Sequence, residues 1–151
     1  KMMTQYIYIA SPMKLPQGSF GSNPVSSEQP NVFHTELDFV HLYFTNNYDS
    51  SQKQKFSYSP HFSFAYQVAV YSNHIPFKYR LMGTAQEEKC LNILYAYLEE
   101  ALQISGVVEY FTSLSGKEHL AISKRRKVRW SEIKTPYDLV LEDREFWEIT
   151  F

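Results

Sequence analysis

The sequence predicts an α+β fold, because many aromatic residues and several extended segments accompany one strong helix. Tyr, Phe and Trp make up 17% of the 151 residues, and aromatic side chains favour the half-buried surfaces of sheets. Four strand-like segments follow the helix, an order that favours an antiparallel α+β fold over alternating α/β units. We predict a single domain over 1–151, with a twisted, mainly antiparallel sheet of about five or six strands. The principal helix, at about 84–105, should cover one face.

The first part of the chain is predicted to contain strands joined by two loops. Residues 6–10 are aromatic and β-branched, which indicates a strand. Residues 11–33 contain four prolines and two glycines, which exclude a helix or a central strand. Scattered apolar residues predict that this long loop is ordered, and long loops in compact domains are often functional. Residues 36–45 predict a strand that carries a bulge or is buried on both faces. Residues 46–61 predict a second loop, and 62–71 a strand, with a helix as the alternative.

The helix has clear ends and a wide apolar surface. Thr84 and Glu87 form a capping-box pattern, and Gly106 supplies a stop. The apolar arc exceeds half the circumference, so we expect cover from the sheet and from either the long loop or a second subunit. The side chains expected at a protein interface on this helix shoulder and loop are Phe20, Ile93, Tyr97 and Ile104.

The last part of the chain is predicted to be extended. Residues 107–114 and 120–130 should form a hairpin around a turn at 115–118. A short extended run is expected at 135–141 and a final strand at 146–151.

A basic run could protect an edge strand or bind nucleic acid. It consists of Lys124, Arg125, Arg126, Lys127, Arg129 and Trp130. Lysine and arginine guard sheet edges against unwanted pairing, and the acidic residues of 142–148 could neutralise the run through cross-strand pairs. Alternatively, the cations would contact phosphates while the indole stacks on a base.

A second cluster could hold a metal or carry hydrolytic chemistry. It consists of His34, Glu36, Asp38 and His41, which are possible metal ligands or proton carriers. On a strand, however, His41 would face away from the other three side chains. We therefore expect a structural role, with a small metal-dependent or hydrolytic enzyme as the alternative. Cys90 is expected to be a buried hydrophobe.

Composition narrows the class of function. A net charge of −1 argues against bulk attraction to nucleic acid, and one cysteine excludes an intramolecular disulfide. No apolar segment has membrane-spanning length, so we expect a soluble, cytoplasmic protein without a cofactor or catalytic residues. The main hypothesis is a non-catalytic module that binds a protein partner or a second copy of itself. A subset of the tyrosines, converging on the long loop, is expected to contribute a recognition patch.

Overall fold

A computed structural model describes residues 4–51, 53–71 and 73–151 of the chain. Its strands and α-helices are β1 (Gln5–Ser11), β2 (Gly18–Phe20), α1 (Glu36–Phe39), β3 (Leu42–Asn46), β4 (Tyr66–Tyr71), α2 (Ala85–Ser105), β5 (Val107–Leu114), β6 (Lys124–Arg129) and β7 (Glu145–Thr150). Short 3-10 helices lie at Lys78–Arg80, Trp130–Glu132 and Pro136–Leu139. An α+β architecture with one principal helix is therefore confirmed.

The described strands form one seven-stranded sheet, in the order β2-β3-β4-β1-β5-β7-β6. The prediction of five or six strands is too low, because the long loop contributes β2. Neighbouring strands pair antiparallel except β6 and β7, which are parallel, so the sheet is mixed.

The hairpin predicted for 107–130 is wrong, because β7 lies between β5 and β6. Phe146 points to one face of the sheet and Trp147 and Ile149 to the other, and all three are buried. A strand buried on both faces belongs in the interior of a sheet. The cation-rich β6 takes the edge instead, as edge-strand composition favours.

The strand predicted for 36–45 is wrong in its first half. The Thr35 hydroxyl accepts a hydrogen bond from the Asp38 N–H at 3.1 Å, a side-chain cap that stabilises one turn of helix. α1 therefore occupies these residues, and β3 begins only at Leu42.

Two other segments differ from their predicted bounds. Within 62–71, the strand is confirmed only from Tyr66. The extended run predicted at 135–141 is instead a 3-10 turn over Pro136–Leu139, in which the Asp138 carboxylate accepts hydrogen bonds from the Lys134 and Thr135 N–H groups. Proline is suited to the first turn of a helix because its φ is already helical.

The predicted ends of α2 are confirmed. Thr84 and Glu87 form both hydrogen bonds of the capping box, and Gly106 ends the helix with a φ of 79°. A glycine fits this left-handed position without steric cost. Leu91, Leu94 and Leu98 of α2 are fully buried against the sheet.

The long loop covers the flank of α2 that the sheet leaves open. The Phe20 ring packs edge-on against Tyr97 at 5.5 Å, and the Tyr97 hydroxyl donates to the Pro16 carbonyl at 2.6 Å. Gly21 lies so close to Ile93 that a Cβ there would stand 2.2 Å from the Ile93 Cδ1. This chain therefore supplies its own second cover for α2, so the wide apolar arc does not require a partner.

Candidate functional site

The face of the sheet opposite α2, here called the open face, carries an unusual concentration of tyrosine. Side chains alternate between the faces along each strand. One hydrophobic cluster contains α2, whereas Tyr8 and Ala69 belong to a second, smaller cluster against which Tyr6 and Tyr58 pack. The open-face residues of β3, β4 and β1 include Tyr43, Thr45, Ala69, Tyr71, Tyr6 and Tyr8.

Strand register arranges these side chains in two rows across the sheet. Tyr6 lies opposite Tyr71, with ring centroids 5.9 Å apart. Phe44 pairs with Val70 in the antiparallel register. The preceding residue, Tyr43, therefore lies opposite Tyr71 and continues this row. In the second row, Ala69 lies between Tyr8 and Thr45. A methyl group between larger side chains leaves a depression, so Ala69 forms the floor of a groove.

The loop after β3 supplies a wall of this groove through Tyr58. The Tyr58 hydroxyl donates to the Thr45 carbonyl at 2.8 Å, and its ring lies 5.5 Å from that of Tyr8. The backbone N–H of Tyr58 donates to Oε1 of the buried Gln67 at 2.7 Å. Asn47 fixes the same loop, because its side-chain amide donates to the carbonyls of Phe56 and Ala65. The wall is therefore anchored to the sheet at both ends.

The groove has a volume of about 510 Å³ and we call it the tyrosine groove. It is lined by Tyr6, Tyr8, Tyr43, Thr45, Tyr58, Ala69, Tyr71, Ser115 and Glu118. Tyr43 and Tyr71 remain 51% and 48% exposed. Tyrosine combines a large apolar ring with a polar tip, and such residues are enriched at contact surfaces.

Glu118 is the one charged residue among those lining the groove. It follows β5 and accepts a hydrogen bond from the Tyr8 hydroxyl. Within the described ranges, no basic side chain lies within 4.0 Å of its carboxylate. Burial raises the pKa of Tyr58 to about 12, and burial together with Glu118 raises the pKa of Tyr8. Both hydroxyls are therefore protonated at neutral pH, and the carboxylate gives the groove a negative end.

Beyond Tyr8, the open face is covered where Phe111 and Phe146 lie. Phe62 packs on Phe111 and Phe146, and Ile122 joins the same cluster. The His61 Nε2 and the Leu120 carbonyl lie 2.6 Å apart, linking the two covering segments. The tyrosine groove is thus the part of the open face that the chain leaves accessible near β1, β3 and β4.

A larger cavity, of about 670 Å³, lies at the end of β4 and contains Glu87. The Glu87 carboxylate accepts hydrogen bonds from the backbone N–H groups of Met82, Gly83 and Thr84. Its oxygens are therefore engaged in holding the start of α2. Glu87 therefore has a structural role in this cavity. The described residues that line the cavity form no convergent set of reactive groups.

The predicted interface residues lie along one flank of α2. Phe20 is partly buried and Tyr97 is buried, while Ile93 is held against Gly21. Ile104 is 51% exposed and lies near the C-terminal end of α2. A shallow, 440 Å³ depression beside Ile93 is what remains open on this shoulder.

The four residues of the predicted metal cluster are spread over α1 and its flanks. The His41 Nδ1 lies 2.8 Å from the Phe39 carbonyl, and the Thr35 cap orients the helix between the two histidines. Among the described residues, no group of three or more His, Cys, Asp or Glu side chains could hold a metal ion. Cys90 is buried, as its position on the apolar side of α2 predicts.

The basic run forms β6, with only part of the predicted neutralisation. Lys124 pairs with Glu142 at 3.5 Å. The Arg125 guanidinium lies over the Phe146 ring and that of Arg126 over Trp147. Trp130 is buried beside Tyr95 with ring centroids 4.7 Å apart, so its indole is not exposed for stacking on a base.

Sequence reasoning missed Tyr6 and Tyr8 as site residues and placed the recognition patch on the long loop. The period-two spacing of Tyr6 with Tyr8, and of Ala69 with Tyr71, is a signal that each pair shares a face. The spacing of residues in the sequence does not indicate which strands are neighbours in the sheet.

Comparisons with models of protein families, with curated proteins and with solved structures found no match to this chain. In the described part of the chain, no helix has both the length and the hydropathy to cross a bilayer.

Proposed function

We propose that this protein is a non-catalytic module that binds an extended, proline-rich peptide in the tyrosine groove. The observation that carries the proposal is the row formed by Tyr43, Tyr71 and Tyr6 beside the negative end at Glu118. The class of function is the one predicted from the sequence. The binding surface is different, because the long loop and the helix shoulder cover each other.

Aromatic-lined grooves suit proline-rich peptides for a geometric reason. A polyproline II helix is already extended, so it loses little entropy on binding, and its prolines pack between aromatic rings. It repeats every three residues, or about 9.3 Å. Tyr43 and Tyr6 lie on strands separated only by β4, a distance of about 9.6 Å across the sheet. A peptide crossing the strands would place one turn over this row.

Charge sets the direction of the peptide. Glu118 follows β5, on the side of the row where Tyr6 lies. An Arg or Lys at that end of the peptide would meet the carboxylate and the faces of neighbouring tyrosine rings. Nucleic acid fits this groove poorly, because phosphates would approach a carboxylate with no basic side chain lining the site.

The proposal is tested by fluorescence anisotropy with a labelled twelve-residue peptide that has proline at every third position and one terminal arginine. We expect saturable binding, and weakening of about tenfold for Tyr71→Ala and for Tyr43→Ala, as is typical of aromatic anchors. The matched control is Tyr79→Ala, since Tyr79 is 72% exposed and lies outside the groove. Circular dichroism checks that each variant is folded.

Two further peptides sharpen the test. A Gly/Ser peptide of equal length and charge should bind far more weakly, and Glu118→Gln should remove the preference for arginine over glutamate at the terminal position. Equal binding of the Gly/Ser peptide, or undiminished binding by both tyrosine variants, would overturn the proposal.

A further inference from the structure

β6 forms one edge of the sheet and carries most of the basic run. It pairs with β7 on one side, and no described strand lies on its other side. Edge strands expose backbone N–H and C=O groups that can pair with another chain. Lys124, Arg125, Arg126, Lys127 and Arg129 are all exposed.

Most of these cations lack an acidic partner. In the ranges 4–51, 53–71 and 73–151, Lys124 alone among them has a carboxylate within 4.0 Å. Lys127 lies opposite Glu148 in the register, without an ion pair. The cross-strand neutralisation predicted from the sequence is therefore incomplete, and the edge keeps a positive potential.

The cations are divided between the two faces of the sheet. Val128 is buried in the core beneath α2, so Lys124 and Arg126 share that face. Arg125, Lys127 and Arg129 lie on the open face. An added strand also alternates its side chains, so acidic residues at successive positions would meet both sets of cations.

We propose that β6 binds an acidic peptide by strand addition, independently of the tyrosine groove. The peptide backbone would pair with the outer edge of β6, which supplies affinity, and the alternating cations would select acidic side chains. This arrangement favours a peptide over nucleic acid for two reasons. A phosphate backbone offers acceptors but no alternating donors, so it cannot complete a strand ladder, and the only tryptophan of the run, Trp130, is buried.

The test uses an eight-residue peptide with glutamate at successive central positions and valine or threonine at both ends, and the same peptide with all of its backbone amide nitrogens methylated. Methylation removes backbone donors and leaves every charge in place. On the unmodified protein, we expect the methylated peptide to bind at least about tenfold more weakly, because strand pairing is lost. A single-stranded oligonucleotide of equal charge is the third ligand and should bind more weakly than the unmethylated peptide.

A matched pair of variants locates the site. Lys127→Glu should weaken binding of the unmethylated peptide by about tenfold or more, since it reverses the middle one of the three charges on the open face of β6. Lys53→Glu makes the same change on an exposed residue of the 46–61 loop and should change affinity less than about twofold. Equal affinity for the methylated peptide, tighter binding of the oligonucleotide, or equal effects of the two substitutions would each overturn the proposal.

Discussion

The two faces of the sheet use tyrosine in opposite ways. On the side of the sheet that α2 covers, Tyr110 of β5 and Tyr97 of α2 are buried, and their hydroxyls donate to the Leu139 and Pro16 carbonyls, both at 2.6 Å. On the open face, Tyr43 and Tyr71 are about half exposed. Each of these two buried hydroxyls has a backbone acceptor, because buried polar groups need hydrogen-bond partners. The open face buries Tyr8 but leaves the rings of Tyr43 and Tyr71 accessible, which favours a recognition role for these two residues.

Aromatic abundance alone does not mark a binding site in this protein. Phe44 stacks on Tyr97 at 3.9 Å and serves the core, whereas its neighbour Tyr43 lines the groove. Neighbouring residues of a strand point to opposite faces of the sheet, so a difference of one position decides between the two roles.

The largest expected difference between the faces is in stability. Leu94→Ala should lower the free energy of unfolding by about 2–5 kcal/mol, because Leu94 is fully buried under α2. Tyr43→Ala should lower it by about 0.5 kcal/mol or less, as for an exposed position. Urea unfolding of both variants measures this. Equal losses would mean that the open-face tyrosines are part of the core.

The contact between the long loop and α2 is tested by a pair of glycines. Gly21 and Gly18 both have positive φ, at 101° and 121°, but only Gly21 has a neighbour within 4 Å of an added Cβ. Gly21→Ala should therefore cost about 1–3 kcal/mol more than Gly18→Ala, from the clash with Ile93. Thermal or urea unfolding measures the difference. A similar cost for both would contradict the close packing of this loop on the helix.

The roles of the tyrosine hydroxyls can be separated by removing one oxygen from each face. Tyr110→Phe should cost about 1–2 kcal/mol, because the Leu139 carbonyl loses its buried donor. Tyr71→Phe should cost less than about 0.5 kcal/mol, since its hydroxyl bonds to Asn73 in an exposed setting. The same unfolding assay applies, and a reversed order would contradict the contrast between the faces.

The smallest expected effect is a pH dependence at Glu109, on the covered part of the open face. Burial raises its pKa, although the Ser63 and Phe64 N–H groups donate to its carboxylate. A raised folded pKa means that the folded state holds the proton more tightly than the unfolded state. The contribution of Glu109 to stability is therefore greatest below its ordinary pKa and falls as pH rises through the folded value.

Glu109→Gln keeps an acceptor oxygen and removes this titration. The stability of the variant relative to the unmodified protein should increase as the pH is raised from 4 to 7, as measured by urea unfolding at several pH values. A relative stability that decreases over this range would show that the ionised carboxylate is favoured in the fold.

Local signals predicted some elements well and others badly. The capping box at Thr84 and the glycine at 106 define α2 through contacts within a few residues, so both ends were predictable. The Thr35 cap is also a local signal. It was missed because the alternation of apolar and polar residues within 36–45 indicated a strand. The position of β7 between β5 and β6 depends on chain segments far apart, and no local pattern specifies it.

The candidate site was less predictable than the fold. The face shared by Tyr6 and Tyr8 follows from period two, but their meeting with Tyr71 and Tyr43 depends on the strand order β3-β4-β1. Tyr58 comes from a loop whose path is set by the buried Asn47 and Gln67 side chains. Such nonlocal hydrogen bonds leave no spacing signal in the sequence.

The most direct measurement of the central claim is amide chemical-shift mapping of the isotope-labelled protein during titration with the proline-rich, arginine-terminated peptide. If the peptide occupies the tyrosine groove, shifts should concentrate at Tyr6, Tyr43, Tyr71 and Glu118 and saturate together. Shifts confined to the helix shoulder around Ile93 and Ile104, shifts confined to β6, or none at saturating peptide would contradict it.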